Sequence, residues 1–138
     1  VIISSSGVGN TIQMVFEKEK MMSDNIHIIT NVFEWDENGK ALKVLEPKIH
    51  ALNKSEVAIK DYPIFNKIEG RKNVLLLGDS IDDIGMVDGF EYNEIIKVGF
   101  LNEKVEENQK RYLEGFDVLI TRDGDMSYIN ELLKEIVG

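Results

Sequence analysis

The apolar residues of this chain alternate between short runs rich in β-forming residues and longer segments with helical spacing. This alternation is typical of a βαβ arrangement with a mainly parallel sheet. The predicted strands are residues 1–5, 26–35, 43–49, 74–78, 94–98 and 117–121. We therefore predict a doubly wound α/β fold and place residues 1–138 in one domain.

A β-hairpin is predicted within the first half of the chain. The dipeptide Asn38-Gly39 lies between the apolar segments 32–35 and 41–44. A two-residue turn that needs positive φ favours this pair. The hairpin is expected as an insertion between two parallel strands.

The charge balance limits the classes of partner. Lys and Arg number 16 against 25 Asp and Glu, and the net charge of −9 opposes attraction to nucleic acid or an anionic membrane. A small phosphate ester remains compatible, because a bound cation reverses the local potential. The absence of cysteine excludes thiolate sites and fits a cytoplasmic protein. No apolar run approaches the roughly 20 residues that cross a bilayer.

An acidic segment follows the apolar run of residues 74–77. A Gly-Asp-Ser sequence stands at the carboxyl end of this predicted strand, where ligands bind in open α/β sheets. Asp79 and Asp83 supply carboxylates of the kind that Mg²⁺ takes as ligands. The alternative is that Asp79 or Ser80 caps the next helix, with Asp82 and Asp83 complementing its dipole.

A second polar segment, residues 4–10, also follows a predicted strand and precedes a helix. A serine hydroxyl donates to phosphoryl oxygens, and glycine lets backbone N–H groups approach an anion. The serines and glycines of this segment are therefore candidates for phosphate binding. The alternative is a serine-rich helix cap.

One lysine and two histidines complete the candidates. Lys54 lies between the hairpin and a helical segment, where its ammonium group could reach a phosphate. Most lysines are instead solvated surface residues. His27 and His50 do not have the spacing of a metal site, so both are expected to be structural.

The order of the serine segment, the lysine and the Gly-Asp-Ser segment resembles the haloacid-dehalogenase (HAD) superfamily. Residues 3–9, 49–54 and 75–89 are similar, more narrowly, to the cytosolic pyrimidine 5′-nucleotidase family, and the match continues through residues 98–102. The resemblance covers virtually the whole chain but only the C-terminal part of the family protein. It implies a Rossmann-like, HAD-like core that lacks its N-terminal central strand and cap.

The resemblance implies Mg²⁺-dependent hydrolysis of pyrimidine nucleoside 5′-monophosphates to nucleoside and phosphate through an aspartyl-phosphate. By position, Ser5 would bind the phosphoryl group, with Ser6 as the alternative donor and Gly7 beside them. Lys54 would neutralise the phosphate charge and take part in catalysis.

The resemblance also assigns the metal side of the site. Asp79 would ligate Mg²⁺, and Asp83 would act in catalysis either as a second ligand or by orienting one. Ser80 would support the segment. Asp82 stands where related sequences often have a small residue and is expected to be peripheral.

The nucleophile motif of the superfamily, Asp-x-Asp-x-Thr/Val, is absent. Asp123-Gly124-Asp125 has its spacing but follows the other motifs, so we interpret it as a loop and helix start. We expect the nucleophile strand and the cap in a missing N-terminal segment of the same protein. In this family that strand lies between those ending near Ser5 and Asp79, and each buried backbone group left unpaired by its loss costs about 1–3 kcal/mol.

Two other functions remain open. One keeps the superfamily but changes the substrate to another small phosphomonoester, since cap residues usually decide specificity. The other is a noncatalytic, receiver-like Mg²⁺-binding or interaction domain, because acidic strand ends also bind Mg²⁺ in doubly wound regulators.

Overall fold

A computed structural model describes residues 1–50 and 62–138 of the chain. These residues form two compact units, one of residues 1–70 and 85–91 and the other of residues 71–84 and 92–138. Lys54 lies outside the described residues. No helix among the described residues has the length and apolar character needed to cross a membrane.

The first unit contains a parallel strand pair joined through a helix. Strands β1 and β2 pair from Ile2 opposite His27 to Ser5 opposite Thr30, and the register then shifts. The unit's elements, in chain order, are β1 (Ile2–Val8), α1 (Gly9–Lys18), β2 (His27–Asn31), β3 (Phe33–Trp35), β4 (Ala41–Val44) and α2 (Phe65–Ile68).

The core of the first unit forms around two buried isoleucines, Ile29 and Ile49. Ile29 is the most enclosed residue of β2, as expected for the centre of a strand rich in β-branched residues. The partly buried side chains packed against this pair are Ile2, Tyr62, Ile64, Ile68 and Phe90.

Strands β3 and β4 form the predicted antiparallel hairpin, but the predicted turn is wrong. The loop has three residues, 37–39, and only Gly39 in it has positive φ, at 77°. The Asp36 carboxylate accepts the N–H groups of Asn38 and Lys40 at 2.9 and 2.8 Å. These bonds stabilise a wider loop, in which a single glycine supplies the left-handed residue.

The second unit contains a three-stranded parallel sheet with the order β5-β6-β7. The central strand β6 carries the fully buried Val98, as the middle position requires. The elements are β5 (Asn73–Gly78), the first four residues of a 3₁₀ helix (Ile81–Val87), β6 (Glu94–Leu101), α3 (Val105–Leu113), β7 (Val118–Thr121) and α4 (Ser127–Val137). The buried apolar residues of this unit are Leu76, Val98, Leu101, Phe116 and Ile129.

The fold confirms the α/β class with parallel strands. The predicted strand 26–35 is divided at Val32, because β2 pairs in parallel with β1 whereas β3 pairs antiparallel with β4. The strand predicted at residues 43–49 is instead Ala41–Val44. Within the described ranges, β1 pairs with β2 alone and β5 with β6 alone. Each of these two strands therefore has one edge without a described partner.

Candidate functional site

The acidic segment, residues 78–83, begins where β5 ends and is organised by a buried carboxylate. Asp83 is only 2% exposed. Its Oδ2 atom accepts the backbone N–H groups of Asp79 and Ser80, both at 3.0 Å. A carboxylate that accepts two backbone N–H groups makes strong, charge-assisted hydrogen bonds. Asp83 therefore fixes the backbone that presents Asp79.

Asp79 itself points its carboxylate outward. The residue is exposed, and no hydrogen bond or ion pair with residues 1–50 or 62–138 engages its carboxylate. Its backbone carbonyl accepts the hydroxyl of Tyr112 at 2.9 Å. Tyr112 lies on α3 and stacks on Phe116, with ring centroids 5.8 Å apart. Tyr112 was not among the residues expected from sequence, because nothing local marks a tyrosine 33 positions away as a partner of Asp79.

The helix-capping alternative is correct for Ser80 but not for Asp79. Ser80 Oγ accepts the N–H group of Asp82 at 3.2 Å, and the Ser80 carbonyl accepts that of Asp83 at 3.0 Å. Ser80 thereby starts the 3₁₀ helix. Gly78 is needed just before, because an added Cβ would lie 2.6 Å from Asp83 Cβ. The segment thus leaves the Asp79 side chain outside the capping interactions.

The acidic segment fits part of a magnesium site. Mg²⁺ is bound by one or two carboxylates and keeps water and phosphate oxygens as its other ligands. The exposed Asp79 carboxylate is suited to such a ligand, whereas Asp83 Oδ2 already faces two N–H groups. The described part of the chain contains no group of three His, Cys, Asp or Glu residues close enough to hold a metal. A complete site would need ligands from elsewhere.

The serine segment, residues 4–7, is organised by a serine hydroxyl and not by a carboxylate. Ser5 is half-buried, and its Oγ accepts the N–H group of Gly7 at 3.1 Å. The hydroxyl hydrogen of Ser5 has no acceptor among the described residues, while the Gly7 N–H is already used. Helix α1 begins after Val8, whose side chain makes no capping hydrogen bond. The serines therefore do not cap this helix, which removes the alternative explanation for them.

Two residues at the end of β2 hold the serine segment from the side. Thr30 Oγ1 donates to the Gly7 carbonyl at 2.7 Å, and Asn31 Nδ2 donates to the Ser6 carbonyl at 2.7 Å. Neither residue was expected from the sequence. The available signal was a polar Thr-Asn pair directly after the apolar residues of a strand, at the edge where ligand-binding loops gather.

Asp123-Gly124-Asp125 forms a loop and helix start, as predicted. Asp123 N–H donates to Asn102 Oδ1 at 3.1 Å, and Asp125 Oδ1 accepts the N–H group of Ser127 at 2.9 Å. Hydrogen bonds from the side chain and then the backbone of Ser127 lower the pKa of Asp125. Asp125 thus accepts a hydrogen bond from the first residue of α4, although the N-cap position itself is occupied by Met126.

Known proteins similar to this chain agree on one family. The family model described as pyrimidine 5′-nucleotidase (UMPH-1) matches residues 1–137. A 7-methylguanosine phosphate-specific 5′-nucleotidase of Homo sapiens is 36% identical over 138 residues, which cover 99% of this chain and 46% of the human protein. A second such enzyme, form B of Xenopus laevis, is 34% identical over 139 residues, covering 100% of this chain and 48% of that protein.

A solved structure supports the same assignment. The crystal structure of cytosolic 5′-nucleotidase IIIB bound to cytidine is similar with a TM-score of 0.87 and 28% sequence identity, covering 96% of this chain and 45% of that chain. The chain thus spans about half the length of the curated relatives it matches. The family match extends over nearly every residue, and the chain belongs to the pyrimidine 5′-nucleotidase (UMPH-1) family.

Proposed function

We propose that this chain is the C-terminal part of a Mg²⁺-dependent 5′-nucleotidase, which hydrolyses nucleoside 5′-monophosphates to nucleoside and phosphate. The observation that carries the proposal is the presentation of Asp79. Its carboxylate is exposed at the carboxyl end of β5, while Asp83 and Tyr112 hold its backbone on both sides. A rigid backbone with an outward carboxylate suits a metal ligand, because little order is lost on binding.

The acidic segment would bind the metal and the serine segment would bind the phosphoryl group. Asp79 would ligate Mg²⁺, with Asp83 orienting it through the backbone and Ser80 supporting the turn. When bound, Mg²⁺ would screen the phosphate charge and lower the barrier to phosphoryl transfer. Ser5 would donate its hydroxyl to a phosphoryl oxygen, with Ser6 as the alternative donor. The Gly7 N–H, which donates to Ser5, would act by orienting that hydroxyl.

The charge of the phosphoryl group also requires a cation from the protein. Lys54 is the proposed residue, on the strength of the family resemblance of residues 49–54. An ammonium group on a flexible stem is suited to follow a phosphate through its reaction.

We place the nucleophile in an N-terminal segment that accompanies this chain. A carboxylate oxygen of the first aspartate of its Asp-x-Asp motif would attack phosphorus, the bond to the 5′ oxygen would break, and the second aspartate would give that oxygen its proton. The same second aspartate would then take a proton from the water that attacks the aspartyl-phosphate, which releases phosphate and restores the first carboxylate. Two observations support such a segment: the chain spans about half the length of its relatives, and β1 and β5 each have one edge without a described partner.

The relatives support nucleoside 5′-monophosphates as the proposed substrate class. Two of them are named 7-methylguanosine phosphate-specific, the family model is named for pyrimidine nucleotides, and the solved structure holds cytidine. All share a nucleoside, and each is named a 5′-nucleotidase, an enzyme that removes a phosphate from the 5′ oxygen. A cytoplasmic location is proposed with the function, since the structural relative is a cytosolic enzyme.

Phosphate release tests this function. The protein including the proposed N-terminal segment is incubated with cytidine, 7-methylguanosine and other nucleoside 5′-monophosphates, and with glucose 6-phosphate. We expect release from nucleotides only, and loss of release when Mg²⁺ is chelated. The Asp79→Asn variant should lose on the order of 100-fold in kcat/KM and need more Mg²⁺, because it lacks a metal-ligand charge.

Asp82→Asn is the matched control, with the same change of charge three residues further on. Asp82 is exposed, and its Oδ2 lies 3.5 Å from Ser80 Oγ, a long contact. Removing the charge of this carboxylate should therefore leave the Mg²⁺ titration unchanged. Equal titrations for wild type and Asp79→Asn would refute the metal role. Absence of phosphate release from every substrate would refute the function as a whole.

A further inference from the structure

The Asn31 side chain connects the serine segment to the buried core of the first unit. Its Nδ2 group donates to the Ser6 carbonyl at 2.7 Å and to the Ile49 carbonyl at 2.8 Å, while its Oδ1 accepts the Ile49 N–H at 2.8 Å. An asparagine amide has two N–H donors and one acceptor oxygen. Both donors of Asn31 are therefore used inside the protein, and none is left for a ligand.

The other end of this connection does not move easily. Ile49 is 3% exposed and forms the core with Ile29. Its backbone N–H and carbonyl both bond to the Asn31 amide, so the two groups lock each other in a fixed orientation. Ser6, in contrast, is exposed. The Asn31 amide therefore holds the backbone of the exposed Ser6 in a fixed position relative to the buried Ile49.

The serine segment needs such support because it leaves the strand ladder. Ser5 lies opposite Thr30 and Val8 lies opposite Asn31, so Ser6 and Gly7 are extra residues with no partner on β2. Their carbonyls are bound by the side chains of Asn31 and Thr30 instead. The strand ladder leaves the extra residues of a bulge unpaired, so other groups must bind their carbonyls. These two side chains therefore determine where the Ser5 and Ser6 hydroxyls stand.

We infer that Asn31 is a positioning residue for phosphate binding, acting through the serine segment. The inference rests on the proposed function, since it assumes that the serine hydroxyls bind the phosphoryl group. Donors already fixed in place bind an anion more tightly than donors that must first be ordered. Asn31 would act without touching the substrate.

The test measures binding of inorganic phosphate by calorimetry, with Mg²⁺ present, in the protein that includes the proposed N-terminal segment. Asn31→Ala removes all three hydrogen bonds and should weaken phosphate binding by between about 10-fold and 100-fold. Asn31→Asp keeps an acceptor for Ile49 N–H but turns a carboxylate oxygen towards two carbonyls. It should bind phosphate no better than Asn31→Ala. Asn38→Ala, an exposed asparagine of the hairpin loop, is the control and should bind like wild type.

A double-mutant cycle separates positioning from general stability. If Asn31 acts through the serine hydroxyl, Asn31→Ala should weaken phosphate binding by less than about twofold once Ser5→Ala is present. The same factor in both backgrounds, or unchanged affinity in Asn31→Ala, would overturn the inference. Should Asn31→Ala not fold, Thr30→Val removes the neighbouring bond to Gly7, and unchanged phosphate affinity there would overturn it equally.

The assay of phosphate release keeps the two proposals apart. A wild-type protein that binds phosphate but hydrolyses no nucleotide contradicts the proposed function. An active wild type whose phosphate affinity does not respond to Asn31 contradicts only the positioning role.

Discussion

The serine segment lies in the C-terminal half of the parallel strand β1 and the acidic segment begins at the end of the parallel strand β5, yet the two are held in opposite ways. In the serine segment the backbone carbonyls of Ser6 and Gly7 are bound by donors from β2. In the acidic segment the backbone N–H groups of Asp79 and Ser80 are bound by a carboxylate. The first arrangement uses neutral side chains 23 and 25 positions away, and the second uses a charged one three or four positions away.

This difference suits ligands of opposite charge. When carbonyls are bound, the hydroxyl donors of the serine segment remain its reactive groups, and donors attract anions. When N–H groups are bound, the Asp79 carboxylate remains, and carboxylates attract cations. The support of each segment thus favours the ligand proposed for it. The two supports also differ in strength. Hydrogen bonds to a charged carboxylate contribute more to stability than hydrogen bonds from a neutral hydroxyl or amide.

The largest effect is expected from Asp83→Ala. This change leaves the N–H groups of Asp79 and Ser80 without their acceptor, and each buried donor left unpaired costs about 1–3 kcal/mol. Because Asp79 is exposed and its N–H can be partly rehydrated, we expect a loss of roughly 2–4 kcal/mol in the free energy of unfolding. Urea denaturation of the protein that includes the N-terminal segment measures this change.

Two companion variants sharpen the Asp83 prediction. Asp83→Asn keeps an acceptor oxygen and should recover part of the lost stability. Asp82→Ala removes an exposed carboxylate from the same 3₁₀ helix and should change the free energy of unfolding by less than about 0.5 kcal/mol. Equal losses for Asp83→Ala and Asp82→Ala would show that the buried acceptor does not organise the segment.

A smaller effect is expected from Tyr112→Phe, which removes a long-range hydrogen bond to the backbone of Asp79. The hydroxyl that donates to the Asp79 carbonyl is lost, while the ring stays stacked on Phe116. One neutral hydrogen bond contributes about 0.5–1.5 kcal/mol to stability, and we expect a loss in that range. The Mg²⁺ concentration for half-maximal phosphate release should also rise.

The matched control is Tyr128→Phe on α4. Tyr128 is 47% exposed, and its hydroxyl makes no hydrogen bond with residues 1–50 or 62–138. Neither stability nor Mg²⁺ response should change. A Tyr112→Phe variant with the same Mg²⁺ response as wild type would mean that the local carboxylate alone positions Asp79.

The same contrast explains what the sequence could and could not predict. Strand β5 and the acidic segment were predictable, because an apolar run followed by Gly-Asp-Ser is local information. Asp83 was found for the same reason, only four residues from Asp79. Asn31 and Thr30 were missed, since their roles depend on a register shift between two strands that no local pattern encodes. Tyr112 was missed because its partner is 33 positions away.

Errors in the strands have a similar cause. Most of residues 26–35 are apolar or β-branched, and no glycine or proline interrupts them, so local preference predicts one strand. The chain changes partner at Val32, where pairing with β1 gives way to pairing with β4. In the hairpin, Asn38-Gly39 indicated the correct topology, but the Asp36 carboxylate stabilises a three-residue loop. Tertiary pairing and a side-chain acceptor decided these details.

The smallest effect is expected from an exposed support, the ion pair between Arg122, just after β7, and Glu106 on α3. Arg122 Nη2 lies 2.9 Å from Glu106 Oε1. Both side chains are at least 75% exposed, so solvent screens the attraction between the two charges. A hydrogen bond from its own backbone N–H, followed by one from Arg122, lowers the pKa of Glu106. A depressed pKa in the folded state means that any stabilisation is present above the unfolded pKa and is lost as the pH falls through the folded one.

Arg122→Gln should raise the pKa of Glu106 part of the way to its ordinary value, and leave the unfolding midpoint at neutral pH unchanged. Carbon-13 NMR of the Glu106 carboxyl group follows its titration. Arg111→Gln, on the same helix α3 as Glu106, removes the same charge and is the control. A clear loss of stability at neutral pH would contradict the contrast between buried and exposed supports. It would show that exposed charges hold strand ends in this fold as firmly as the enclosed Asp83 does.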